Sequence, residues 1–235
     1  MRTYLLTTVA VGAMASFGMI GGARANPNGY AIPSAVTSPP TITGSNPTGS
    51  TTAASGNVTI NLNQNRTIIN WDSYNIGSGE TTSYIFGAGH NSWIVLNKVN
   101  AGSATINGTL QGCLADCTTF GGNIWIYARD GVLIGNGAVV NAGGFLATTS
   151  PLSTSDSDFV NPATNTFAFG AANPGTSVSV QGNAQITAAG GTIAFIAPQV
   201  STDAGTTVTA TGQGSSVLFG AATSYTLQFA PDAAG

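Results

Sequence analysis

Charge is what this sequence has least of. Of 235 residues only five are Lys or Arg and eight Asp or Glu, 6% of the chain, against roughly 25% in an ordinary soluble domain. There is one His, and there are two Cys. Five scattered basic residues cannot lay down the cationic footprint that neutralises phosphates, which excludes a nucleic-acid binder. A disordered tail is excluded as well, because 42% of the residues are apolar and disorder goes with low hydrophobicity and high charge. Helical bundles need Leu, Glu, Lys and Ala at 3.6-residue spacing. Here Gly and Thr take 32 positions each and, with Asn, Val and Ile, point to all-β structure.

The first residues read as an address. Met1-Arg2-Thr3-Tyr4 is a short positive start, Leu5 to Ile20 is apolar apart from small hydroxyl residues, and Gly21 to Ala25 ends in Ala-x-Ala. This is the pattern of a secretory signal peptide cleaved between Ala25 and Asn26. The competing reading, a membrane anchor, meets an apolar run of 16 residues where a spanning helix needs about 20. Cleavage removes Arg2 and Arg24, leaving three basic against eight acidic residues and a net charge of −5. No later stretch is long and apolar enough for stable membrane insertion.

In an exported chain Cys113 and Cys117 read as a small disulfide loop that shapes a turn. Two free thiols or half a zinc site are the other readings. Residues 26–56, with Pro at 27, 33, 39, 40 and 47, read as an extended leader. From Asn57 onward short runs such as Val58 to Asn63 alternate, and each ends at Gly, Asn or Asp, so residues 57–235 are expected to form one β domain. Gly122-Asn-Ile-Trp-Ile-Tyr-Ala128 aligns with Gly191-Thr-Ile-Ala-Phe-Ile-Ala197 and more loosely with Gly214-Ser-Ser-Val-Leu-Phe-Gly220, at separations of 69 and 23 residues. A period in the twenties suits coils of a solenoid. The expected fold is a right-handed parallel β-helix with a few extra-helical hairpins or a cap; an antiparallel β-sandwich is the alternative.

Six ordered blocks from Ile69 to Thr149 carry a resemblance. They are Ile69-Asn-Trp71 with Ser73-Tyr-Asn-Ile-Gly77, Leu96-Asn-Lys-Val99, Ala104 to Leu110, Gly122 to Tyr127, Gly131-Val-Leu-Ile-Gly135 and Val140 to Thr149, with Asp156-Ser-Asp-Phe159 after them. Together they resemble the N-terminal secretion domain of two-partner secretion exoproteins of the filamentous haemagglutinin type. One block departs from that pattern: Ala128-Arg-Asp-Gly131 stands where the family shows Asn-Pro-Asn-Gly, so only Gly131 carries over, although Asp-Gly keeps the chemistry of the turn. The Cys113 to Cys117 loop looks like an insertion between two coils.

The resemblance implies export to the cell surface or medium through the periplasm. The partner it implies is an outer-membrane Omp85-type barrel with periplasmic docking domains, and a host or glycan receptor would follow outside. Asn97, Val99, Ile106, Gly108, Asp130, Gly131, Gly135 and Asn141 are the residues the resemblance marks for transporter recognition or for turns. Phe229 to Gly235 shows no polar cap, so the coding sequence is expected to continue.

Catalysis is not expected, and neither a cofactor nor a metal. His90 is the only imidazole, it has no G-x-S-x-G elbow to serve, and it reads as a surface-loop residue. Asp156 and Asp158 read as loop residues rather than a calcium site, which wants six to eight oxygens. Trp71, Trp93 and Trp125 read as buried rather than sugar-stacking. Polysaccharide lyases and hydrolases also use β-helices, but Arg66, Lys98 and Arg129 are too few to line a catalytic groove. A self-standing solenoid that binds or degrades glycans is therefore the alternative function.

Overall fold

The computed structural model describes residues 27–43, 57–161 and 165–228, so the segment read as a signal peptide and its expected cleavage between Ala25 and Asn26 lie outside the described residues. The described chain is nearly all β and winds in coils, each visiting three faces in the same order. The first coil is β3 (Asn57–Asn61) and the long β4 (Arg66–Ile76), which turns a corner: its first half pairs with one strand of the next coil and its second half with another. The second coil is β5 (Thr81–Ile85), β6 (Ile94–Val99) and β7 (Ala104–Ile106). The third is β8 (Thr109–Cys113), β9 (Asn123–Ala128) and β10 (Val132–Ile134). The fourth runs β11 (Val139–Ala142) and β12 (Gly144–Thr148), leaves the stack for helix α1 (Asp156–Val160) and β13 (Thr166–Phe169), and returns as β14 (Ser177–Val180). The fifth is β15 (Gln185–Ala189), β16 (Thr192–Ala197) and β17 (Gln199–Thr202). Then β18 (Thr207–Thr211) and β19 (Ser216–Ala221) stack on it, and β20 (Tyr225–Gln228) pairs antiparallel with β13. Coil-to-coil pairing is parallel throughout, as a β-helix requires.

Side-chain alternation explains which way each face looks. On the first face Leu110, Val140, Ile186 and Val208 point inward and stack, while Ser83, Gln111, Asn141, Thr187 and Thr209 form an outward polar row. On the second face, β4–β6–β9–β12–β16–β19, the strands β9, β12 and β16 read instead as apolar runs because they are covered on both sides, whereas β19 at the end of the stack is exposed. Ile124, Ile126, Phe145 and Phe195 face the interior. Leu96, Trp125, Leu146 and Ile196 face a second cluster built with Phe159 and Val160 of α1, Phe167 and Phe169 of β13, and Val36.

Four details differ from the sequence reading. In the stretch read as a leader, β1 (Asn28–Ala31) pairs antiparallel with β4 and β2 (Thr41–Thr43) with β3. Both are edge strands whose prolines lie outside the paired residues, a placement a sheet tolerates. Ile124 and Ile193 do belong to one stack, through Phe145 between them, but Thr192 pairs with Ser216. The later separation is thus 24 residues rather than 23, and a one-residue error would have turned every side chain of β19 to the wrong face. Coil length is uneven, because loops are inserted at the corners: Ile94 pairs with Asn123, 29 residues on, whereas Gln185 pairs with Thr207, 22 on. Asp156 and Asp158, read as loop residues, lie in the first turn of α1, where Ser155 Oγ accepts a hydrogen bond from Asp158 N at 3.1 Å as an N-cap.

Candidate functional site

The resemblance blocks fall on consecutive coils, from β4 through β12, and their turns stack at two corners. At the corner between the third and first faces, Gly135 N donates to Ile106 O at 2.7 Å, Thr109 N to Glu80 O at 2.8 Å and Val139 N to Gly108 O at 3.0 Å. These turns approach so closely that a Cβ on Gly108 would collide with the Gly77 and Glu80 carbonyl oxygens, and one on Gly135 with the Asn107 side chain. Glycine is required here by closeness. At the corner between the second and third faces the requirement is conformational, since Gly131 has φ +139°.

Arg129 and Asp130 crown that second corner. Arg129 Nε donates to Asp130 Oδ1 at 2.9 Å, and both side chains are exposed, at 51% and 42%. Asp130 Oδ2 also accepts from Gly102 N at 3.0 Å, tying the turn to the coil before it. The hydrogen bond from Arg129 holds the Asp130 carboxyl below the usual carboxylate range, and the reciprocal bond raises Arg129.

The remaining marked residues do not join Asp130 in one patch. Asn97, Val99 and Ile106 are fully buried in the solenoid interior, and Gly108, Gly131 and Gly135 are buried in turns. Asn141 lies half-buried in the outward row of the first face. Cys113 and Cys117 form a disulfide across a finger at residues 113–120 that leaves the stack between β8 and β9. The finger thus sits inside a coil, where the sequence suggested an insertion between coils. At its tip Asp116 accepts hydrogen bonds from the Thr118 hydroxyl and amide, which lower its carboxyl.

The other sequence candidates have structural partners. His90 stacks on Trp93, with ring centroids 3.7 Å apart, and its Nδ1 donates to the Phe86 carbonyl at 2.7 Å. Asp156 pairs with Lys98 at 3.1 Å, pinning α1 to β6. Trp71 is buried in the interior, Trp125 is packed among Phe159, Phe167 and Phe169, and Trp93 is only partly covered. Sequence reasoning missed two interactions. One is the Arg66 guanidinium 4.7 Å over the Phe167 ring, where burial lowers its pKa; the other is a polar cluster inside the first coils, described below. The excursion that carries Phe167 gave no sequence signal. Tyr74, between Ser73 and Asn75 in β4, carries the alternation that marks an inward residue, whereas nothing local marks Tyr84, beside Ile85, as its partner.

Parallel coils closed by stacked glycine turns, with one face roofed by a helix and a two-stranded sheet, define a β-solenoid module. The family model of the TPS secretion domain matches residues 36–230, and the chain belongs to that family, the secretion domain of two-partner secretion exoproteins. The family is a secretion module rather than a catalytic one, and it implies a two-partner secretion transporter as partner. No curated protein matches the chain. Among the described residues no helix is long and apolar enough to cross a membrane.

Proposed function

We propose that this domain is the N-terminal secretion module of a secreted or surface-exposed adhesin of the haemagglutinin type. In this reading the segment before Asn26 is removed on entry to the periplasm. An Omp85-type outer-membrane barrel then receives the domain through its periplasmic docking domains. The observation that carries the reading is the coincidence of the family match with consecutive stacked coils from β4 to β12. A chain with so few charges can pass a pore extended and gain burial as each coil stacks outside, since solenoid coils contact only their neighbours. The winding is right-handed, following the strong preference of parallel strand crossovers.

The marked residues divide by exposure. Asn97, Val99, Ile106 and the glycines act by closing coils; Asp130 and Asn141, together with Arg129 paired to Asp130, are the ones a docking domain can touch on the folded module. The test is export in cells that carry the cognate transporter. Deleting residues 69–149 while keeping the signal should strand the protein in the periplasm, and normal export of the deletion refutes the proposal. Replacing Arg129 and Asp130 by Ser in the purified chain should leave its circular dichroism unchanged while slowing export.

A further inference from the structure

The interior of the solenoid is not uniform along its length. From β8 onward the inward positions are hydrocarbon: Leu110, Ile124, Ile126, Val140, Phe145, Ile186, Phe195. Beneath them, in β4, β5 and β6, the interior holds buried hydroxyl, indole and amide groups: Thr67, Trp71, Tyr74, Thr82, Tyr84 and Asn97. Four of these form a network of defined direction. Asn97 Oδ1 accepts from Trp71 Nε1 at 2.8 Å and from Tyr84 OH at 2.6 Å, and Asn97 Nδ2 donates to the Trp125 carbonyl at 3.2 Å. Tyr84 spends its one proton on Asn97, so Tyr74, 3.0 Å away, must be the donor to Tyr84. A single carboxamide thus engages β4 of the first coil, β5 beside it in the second and β9 of the third.

Such a network costs stability relative to a hydrocarbon core, because each buried polar group must be satisfied. It supplies something the apolar pattern cannot. Alternation fixes which face of a strand turns inward, so a slip by one residue is prevented. A slip by two keeps the face, and on β6 it would merely put Val95 or Val99, both fully buried, where Asn97 now stands between Ile69 and Ile126. Packing distinguishes those registers poorly. The network distinguishes them sharply, since after a two-residue slip the amide and its partners would be buried unpaired.

We propose that the Asn97 carboxamide is the register lock of the first three coils, admitting only the stacking that brings Trp71, Tyr84 and the Trp125 carbonyl to it, and making those coils close as one unit. Coils above them inherit the register by stacking. Burial pushes both phenols up, so they remain neutral donors across the physiological range.

The test uses the whole purified chain, read by backbone amide NMR and native-state hydrogen exchange. Asn97→Leu keeps the branched shape of the side chain and removes its donor and acceptor atoms. It should give more than one set of amide resonances for β4 to β7 and lower protection there by about tenfold, while β16 keeps a single set. Val95→Ala, a cavity on the same strand, should lower protection while keeping one set. A single resonance set in Asn97→Leu, with β4, β6 and β9 still exchanging together, overturns the proposal. Should Asn97→Leu fail to fold, Tyr84→Phe decides: protection must fall in β4 and β9 as well as β5, and a loss confined to β5 overturns it.

Discussion

At the scale of single residues, the glycines divide by what a methyl group would meet. A Cβ on Gly108 would strike two backbone carbonyls of the turn below, whereas one on Gly220 would find the Ile196 side chain at an ordinary 3.5 Å. Gly108→Ala should therefore cost about 3 kcal/mol, the upper end of overpacking penalties. Gly220→Ala should be neutral or stabilise by about 0.5 kcal/mol through the unfolded chain. Denaturant midpoints of the two variants check the contrast. The buried phenols set a second expectation. Burial raises Tyr74 and Tyr84, and also Tyr225, so the folded state holds these protons more tightly than the unfolded one. Their contribution is complete below the ordinary tyrosine pKa of about 10 and is lost as pH rises from there toward the folded values. Stability should fall steeply above pH ~10. Tyr74→Phe with Tyr84→Phe should flatten that slope without abolishing it, because Tyr225 remains.

At the scale of elements, one face of the solenoid is a protein core in its own right. Trp125 is 3% exposed on the outer side of β9, against Phe159 of α1 and Phe167 and Phe169 of β13. Trp125→Ala should cost about 3–5 kcal/mol, as for a buried aromatic removed from any core, and Trp93→Ala much less, since Trp93 is only partly covered. Chemical denaturation followed by circular dichroism separates them. The disulfide finger lies at the other extreme. Cys113 and Cys117 are four positions apart in sequence, and chain entropy assigns so short a loop at most about 2 kcal/mol. Replacing both by Ser should keep the β spectrum intact, with only a modest fall in melting temperature. The element scale is also where the sequence was least legible. Continuous apolar runs such as Ile124-Trp-Ile-Tyr-Ala128 announce a strand covered on both faces, but what covers it comes from residues 30 to 100 positions away and has no periodicity of its own.

At the scale of the whole molecule, stability is a sum of coil-to-coil interfaces, so it should vary along the stack. Central strands β9 and β12 have parallel neighbours on both sides, while β17, β18 and β19 each have one, and Val217, Leu218 and Phe219 are 39–49% exposed. Amide exchange should be slowest in β9 and β12 and fastest in the last coil; uniform protection would contradict nearest-neighbour additivity. The sequence by itself determined part of this: scarce charge, glycine before short β runs and inward alternation specify an all-β chain of short strands, because each is a local property repeated along the chain, while the choice of parallel coils over an antiparallel sandwich came from the strand pairing. The residues of the six blocks stood out through their resemblance to the two-partner secretion family. Only the tertiary structure decided the register of β19, the strands within residues 27–43, the roof over the second face and the hydrogen-bond partners of Asn97. Each depends on which distant segment meets which, and there the apolar pattern leaves several registers nearly equal in energy until specific polar partners and close turn contacts select one.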